Sequence, residues 1–258
     1  MAERSNDKQQ ERRSKSDQNM NRAIALLIGG MIAEWYLLMA DRYYVRGGSR
    51  RMYEWYRYFG VMRWVGLGLL IVGVVLLVMK NRQGLKNWIG RLGAGIAAAG
   101  GFLALSSEGA RHVYPTSVSV MCVLVPVVLV LGIIYLFYQA EFSVQATALA
   151  AGLFALALLN RSGTTLVRAV SVLVMIFIAL LIAGTVLLKK NGGTLKLGQK
   201  PMRLFPVNMD YRLTFGVPAL CIVAVLAALL APSVAFYAIW VLGALAFALA
   251  VYYTVKLM

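Results

Sequence analysis

Beyond residue 22 the chain alternates between long apolar blocks and short polar, mostly basic stretches. The blocks fall at about 23–40, 59–79, 86–106, 115–138, 142–159, 165–188, 213–231 and 233–255. A run of roughly 18 or more apolar residues is long enough to cross a ~30 Å hydrocarbon layer as a helix. The pattern therefore predicts an all-α fold, a polytopic transmembrane bundle of eight spanning helices. Pro115 and Pro232 stand near helix starts, where proline is tolerated. Pro126 lies deep in the fourth block and should kink that helix. Residues 1–22 are rich in Gln, Asn, Ser, Lys, Arg and Glu and show no apolar period. They bury too little surface to offset the entropy of ordering, which predicts a disordered basic tail.

Basic residues set the expected orientation. With the N-terminus in the cytoplasm, inside segments hold seventeen Lys and Arg residues and outside segments hold eight. That excess places both termini in the cytoplasm. The segment 41–58 dissents, because it carries five arginines on the side assigned as outside.

Two nonapeptides resemble one another. Leu69–Leu77 (LLIVGVVLL) and Leu180–Leu188 (LLIAGTVLL) agree at seven of nine positions, and a Lys/Asn/Gly-rich loop follows each. In the same register Arg57 parallels Arg168; further on, outside that register, Arg91 parallels Arg212 and Pro115 parallels Pro232. Division at 140/141 gives a first four-helix half, 23–140, and a second, 141–258. Four helices per half predicts a parallel 4+4 repeat.

Composition narrows the function. Of 258 residues, 60% are hydrophobic and 14% charged, and the net charge is +16. The basic residues are dispersed over the loops, where they meet anionic lipid headgroups. They do not form the basic face of a nucleic-acid-binding domain. Cys122 and Cys221 both lie in apolar blocks, and the single His112 gives no histidine cluster for a metal. Neither a metal nor another cofactor is expected. Walker, zinc-protease and phosphotransfer patterns are missing, so an enzyme is not the expected class.

Three groups of residues bear chemistry. Glu34 is the acidic residue well inside an apolar block, and a carboxylate at that depth needs a proton, a partner or a wet cavity. Arg63, on the returning helix, reaches similar depth, so an intramembrane Glu34–Arg63 pair is expected. The segment 42–59 interleaves Arg42, Arg46, Arg50, Arg51 and Arg57 with Tyr53, Trp55, Tyr56 and other aromatics. Tyr and Trp favour headgroup level and arginine pairs with phosphate, so this is a candidate lipid or partner surface. Glu108, Arg111 and His112 form a weaker cluster in the third loop, on the same expected side. In the third block, Gly93, Ala97 and Gly101 at four-residue spacing predict a central packing helix.

Blocks four to eight offer few polar interior residues, unlike the polar midplane of many ion and sugar transporters. The leading expectation is a non-catalytic scaffold or subunit of the plasma (cytoplasmic) membrane, with membrane or envelope protein partners and contacts to anionic headgroups. The alternative is a small transporter or lipid-handling protein working at Glu34 and Arg63.

Overall fold

A computed structural model describes residues 2–83, 87–114, 116–161, 163–190, 194–197, 200–203 and 211–257. Pro115 lies outside the described residues. Eight helices follow in chain order: α1 (Ala2–Ala40), α2 (Ser49–Gln83), α3 (Asn87–His112), α4 (Thr116–Phe137), α5 (Ala140–Arg161), α6 (Thr165–Lys190), α7 (Tyr211–Leu230) and α8 (Ser233–Leu257). A π-helical turn, Asp41–Val45, closes α1. Between α6 and α7, strands β1 (Thr194–Leu197) and β2 (Lys200–Arg203) pair antiparallel, with Thr194 opposite Arg203.

All eight helices are long and apolar enough to cross a membrane. Their outward faces are apolar as well: Trp64, Ile71, Leu173, Leu180, Val223 and Phe247 are all largely exposed. Contiguous apolar surface on this scale is a liability in water and is the natural outer face of a bundle solvated by lipid. The molecule is a polytopic transmembrane helix bundle.

The chain divides into two compact units, and the divisions fall within α1 and α4. One comprises Ile24–Leu129. The other comprises Val130–Met258 together with Met1–Ala23.

In the unit Ile24–Leu129, α2 and α3 pack along a seam of small residues. A Cβ on Gly66 would stand 2.6 Å from the Ala104 nitrogen, and one on Gly93 would stand 3.0 Å from the Leu76 Cβ. Gly73 lies against Ala97 and Gly100 against Leu70, in each case backbone to backbone. Small residues permit this approach, and apposed helices in lipid gain mainly from close packing. The seam runs through Gly93, Ala97, Gly100 and Ala104, whereas Gly101 makes only ordinary contact with Leu70 at 3.4 Å. So α3 is a close partner of α2, and the expected central role within a half falls elsewhere.

In the other unit that role belongs to α5, which packs against α6, α7 and α8. Its buried face carries Phe142, Ala148, Leu149, Ala155 and Leu156, and Gly152 meets Cys221 of α7 and Leu242 of α8. Alanines at helical spacing let three neighbours close around it. The two units are thus packed in different ways, one on a glycine seam and one around a central helix.

Two segments differ from expectation. The tail 1–22 continues α1 from Ala2. Its Gln, Lys, Arg and Glu residues have good helix propensity, which the lack of an apolar face concealed. The third loop is also helical, because α3 extends to His112 and so carries Glu108, Arg111 and His112 on its last turns. Helices α4 and α7 run through Pro126 and Pro218 respectively.

Candidate functional site

The candidate site lies where α1 ends and α2 begins. The π-helical turn directs Tyr44 inward, and Arg46 caps the turn through its backbone N–H, which donates to the Asp41 carbonyl at 3.0 Å. Gly47 then passes so close to the Tyr43 carbonyl oxygen that a Cβ there would collide with it. That contact explains the glycine. The chain turns into α2 with Gly48, whose carbonyl accepts from Met52 N–H at 3.1 Å.

The end of α3 braces this turn. Tyr44 is buried, its hydroxyl donates to the Ala110 carbonyl at 3.1 Å, and its ring meets Phe59 and Tyr114 edge-on at 5.0 and 4.9 Å. Arg111 lies over the Tyr56 ring at 4.8 Å and donates to its hydroxyl at 3.3 Å. The structure thereby brings the segment 42–59 together with the end of α3. Tyr44, one of the aromatics of that segment, and Tyr114, which no sequence motif singles out, form the joint.

Outside this joint is a cleft lined by Arg42, Arg46, Arg50 and Arg51, with Tyr43, Ser49 and Glu54. Arg46 pairs with Asp41 at 2.7 Å, and Arg50 approaches Glu54 at 3.7 Å. The guanidiniums of Arg42 and Arg51 both lie over the Tyr43 ring, at 5.9 and 5.6 Å, and that ring stacks on Trp55 at 6.0 Å. Four guanidiniums thus share one concavity against two carboxylates. The N-terminus of α2, with its own positive end of the helix dipole, opens into the same place. The arrangement suits an anion, and arginine forks at a helix N-terminus suit phosphate best. Around it Tyr53, Tyr58 and Trp64 are largely exposed, and Tyr56 less so. Arg57 is not among the residues lining the cleft.

The expected Glu34–Arg63 pair is not formed. Arg63 bonds instead to Glu108, 3.1 Å from Nη1 to Oε2, and lies over the Trp64 ring at 4.9 Å. Glu108 also meets His112 Nε2 at 3.0 Å, a bridge of one helical turn. The helical continuation of α3 is the cause, since it carries Glu108 to the level of Arg63. One oxygen of Glu34, Oε2, is buried and has no hydrogen-bond partner among the described residues.

A second polar cluster, in the other unit, escaped the sequence reading. Glu141 and Gln145 of α5 are fully buried, with Thr214 of α7 and Tyr253 of α8. Gln145 Nε2 donates to the Tyr253 hydroxyl at 2.9 Å and to Thr214 Oγ1 at 3.4 Å. Lys256 Nζ stands 3.6 Å from Glu141 Oε2. Glu141 reads as part of a short loop, but α5 begins at Ala140 and draws it into the bundle.

No family model, curated protein or solved structure matches the chain. Among the described residues, no group of three or more His, Cys, Asp or Glu side chains is placed to hold a metal ion.

Proposed function

We propose that the protein is a non-catalytic scaffold or subunit of the cytoplasmic membrane that engages anionic, phosphate-bearing lipid headgroups through its arginine cleft. The observation that carries this reading is the cleft itself. Four guanidiniums gathered around one concavity repel one another, and the carboxylates of Asp41 and Glu54 offset only half of that charge. A dianionic headgroup would complete the neutralisation. The exposed aromatics on the same segment hold it at the depth where headgroups lie. Both termini lie in the cytoplasm in this reading, and the cleft faces outward. Four of the five arginines that oppose the charge rule are then explained by a ligand.

The alternative transport reading rested on a polar pair at Glu34 and Arg63. It loses its main support because Arg63 is committed to Glu108.

The test is gentle extraction followed by native mass spectrometry of retained lipids and proteins. The wild type should retain anionic phospholipid, and a variant carrying Arg46→Gln, Arg50→Gln and Arg51→Gln should lose it while remaining monodisperse. Equal retention by both proteins removes the cleft as the binding surface. A co-purifying protein lost on mutation, with lipid retained, would redirect the surface to a protein partner.

A further inference from the structure

We propose that Glu141, with Gln145, forms a binding site for a monovalent alkali cation in the unit Val130–Met258, and that the Lys256 ammonium is its built-in competitor. The inference is independent of the arginine cleft.

It starts from an imbalance. The Glu141 side chain is 1% exposed, and among the described residues neither carboxylate oxygen has a hydrogen-bond partner. Gln145 is one turn further along the same face of α5. Its amide nitrogen is committed to Tyr253 and Thr214, and among the described residues its Oε1 has no partner. Among the described residues, three acceptor oxygens on one buried helix face therefore lack hydrogen-bond donors. Burial of a carboxylate is expensive unless its oxygens are satisfied.

Lys256 does not satisfy them. At 3.6 Å its ammonium is beyond good hydrogen-bonding distance, and it approaches only Oε2. It is also about a third exposed and lies over the Tyr252 and Tyr253 rings at 5.9 and 5.6 Å. It is a charge held loosely beside the site.

The donor set specifies the ligand class. One carboxylate and one amide oxygen, with the hydroxyls of Thr214 and Tyr253 in the same cluster, form a hard-oxygen environment of single negative charge. Sodium or potassium matches it. Calcium and magnesium sites draw on more carboxylates or on substrate phosphates. With a cation bound at Glu141, Lys256 is displaced toward solvent along its flexible stem.

The experiment is thermal unfolding of the purified full-length protein in detergent at fixed pH and ionic strength. N-methylglucamine chloride is replaced stepwise by sodium or potassium chloride. The wild type should show a saturable rise in midpoint with one of the two alkali cations. In Lys256→Met the half-saturating concentration should fall about tenfold, because removing one opposing unit charge at this range is worth at least one decade in cation affinity. Glu141→Gln, nearly isosteric, should abolish the response in either background. No alkali-specific response in wild type and Lys256→Met, or a response that survives Glu141→Gln, overturns the proposal. If Lys256→Met does not fold, radiolabelled sodium and potassium binding to wild type against Glu141→Gln decides alone, and equal binding overturns the site.

Discussion

Replacing Gly66 by alanine should force α2 away from α3. The new Cβ would stand 2.6 Å from the Ala104 nitrogen and 2.8 Å from the Gly100 carbonyl oxygen. Both are backbone atoms, so no side chain can swing aside, and the seam must open by several tenths of an ångström. Overpacking of this kind costs ~1–3 kcal/mol. The better helix propensity of alanine returns ~1 kcal/mol at most. A net loss of about 1–2 kcal/mol is expected, a fall of roughly 2–8 °C in Tm for a chain of this size. Gly100→Ala strikes the same seam from the other side, 2.7 Å from the Gly66 carbonyl oxygen. Once one methyl has opened the seam the second meets less resistance, so the double variant should cost less than the two single changes together. Gly68 and Gly95 provide controls, since a Cβ at either has nothing within 4 Å. Their alanine variants should melt at or slightly above the wild-type temperature. Unfolding can be followed in detergent with a thiol-reactive fluorophore. In a Cys221→Ser background the remaining Cys122 reports on the unit that contains the seam. Equal melting of Gly66→Ala and Gly68→Ala would falsify the close-approach account.

Other expectations follow from individual contacts. Tyr44→Phe removes the hydrogen bond to the Ala110 carbonyl and should cost ~1 kcal/mol, read in the same melting assay; an unchanged midpoint would mean that the bond contributes nothing to bracing the turn. In double-mutant cycles Arg63→Met and Glu108→Gln should be coupled, whereas Arg63→Met and Glu34→Gln should be additive; the reverse pattern restores the Glu34–Arg63 pair. Thiol labelling of the folded protein should modify half-buried Cys122 before fully buried Cys221, as single-cysteine variants will show, and equal rates would contradict the burial.

The bundle was legible because its signal is long and redundant. Eight apolar blocks need only length and low charge to be recognised, and each coincides with a helix of spanning length. Pairing was harder to read. Glu34 and Arg63 matched in depth, but depth does not fix the rotation of a helix about its axis. A two-helix estimate also ignores a third helix carrying Glu108 to the same level. The glycine seam shows the same limitation. Spacing suggested Gly93, Ala97 and Gly101, whereas the contact uses Gly100, one position away, because the apposed helix selects the register. Glu141 was obscured by a boundary: begin α5 two residues later and it is a solvated loop residue, begin it at Ala140 and it is a buried carboxylate.

The last case bears on where function resides in a chain so poor in polar motifs. A membrane bundle gains little from polar residues as packing elements, since apolar side chains in lipid do that work without desolvation cost. A buried carboxylate without a hydrogen-bonded partner is therefore harder to explain by stability than an exposed basic loop. Arg50 and Arg51 stand in a polar setting where arginine is inexpensive, and their significance rests on being gathered around one concavity. Glu141 is costly by itself, and Lys256 at 3.6 Å offsets that cost only in part. If Glu141 served only to anchor α8, Glu141→Leu combined with Lys256→Met should be at least as stable as wild type, because an apolar replacement of a buried pair is often neutral or stabilising. A stable double variant that has also lost its alkali-cation response would separate the two roles: the pair would be dispensable for folding, and the carboxylate retained for what it binds.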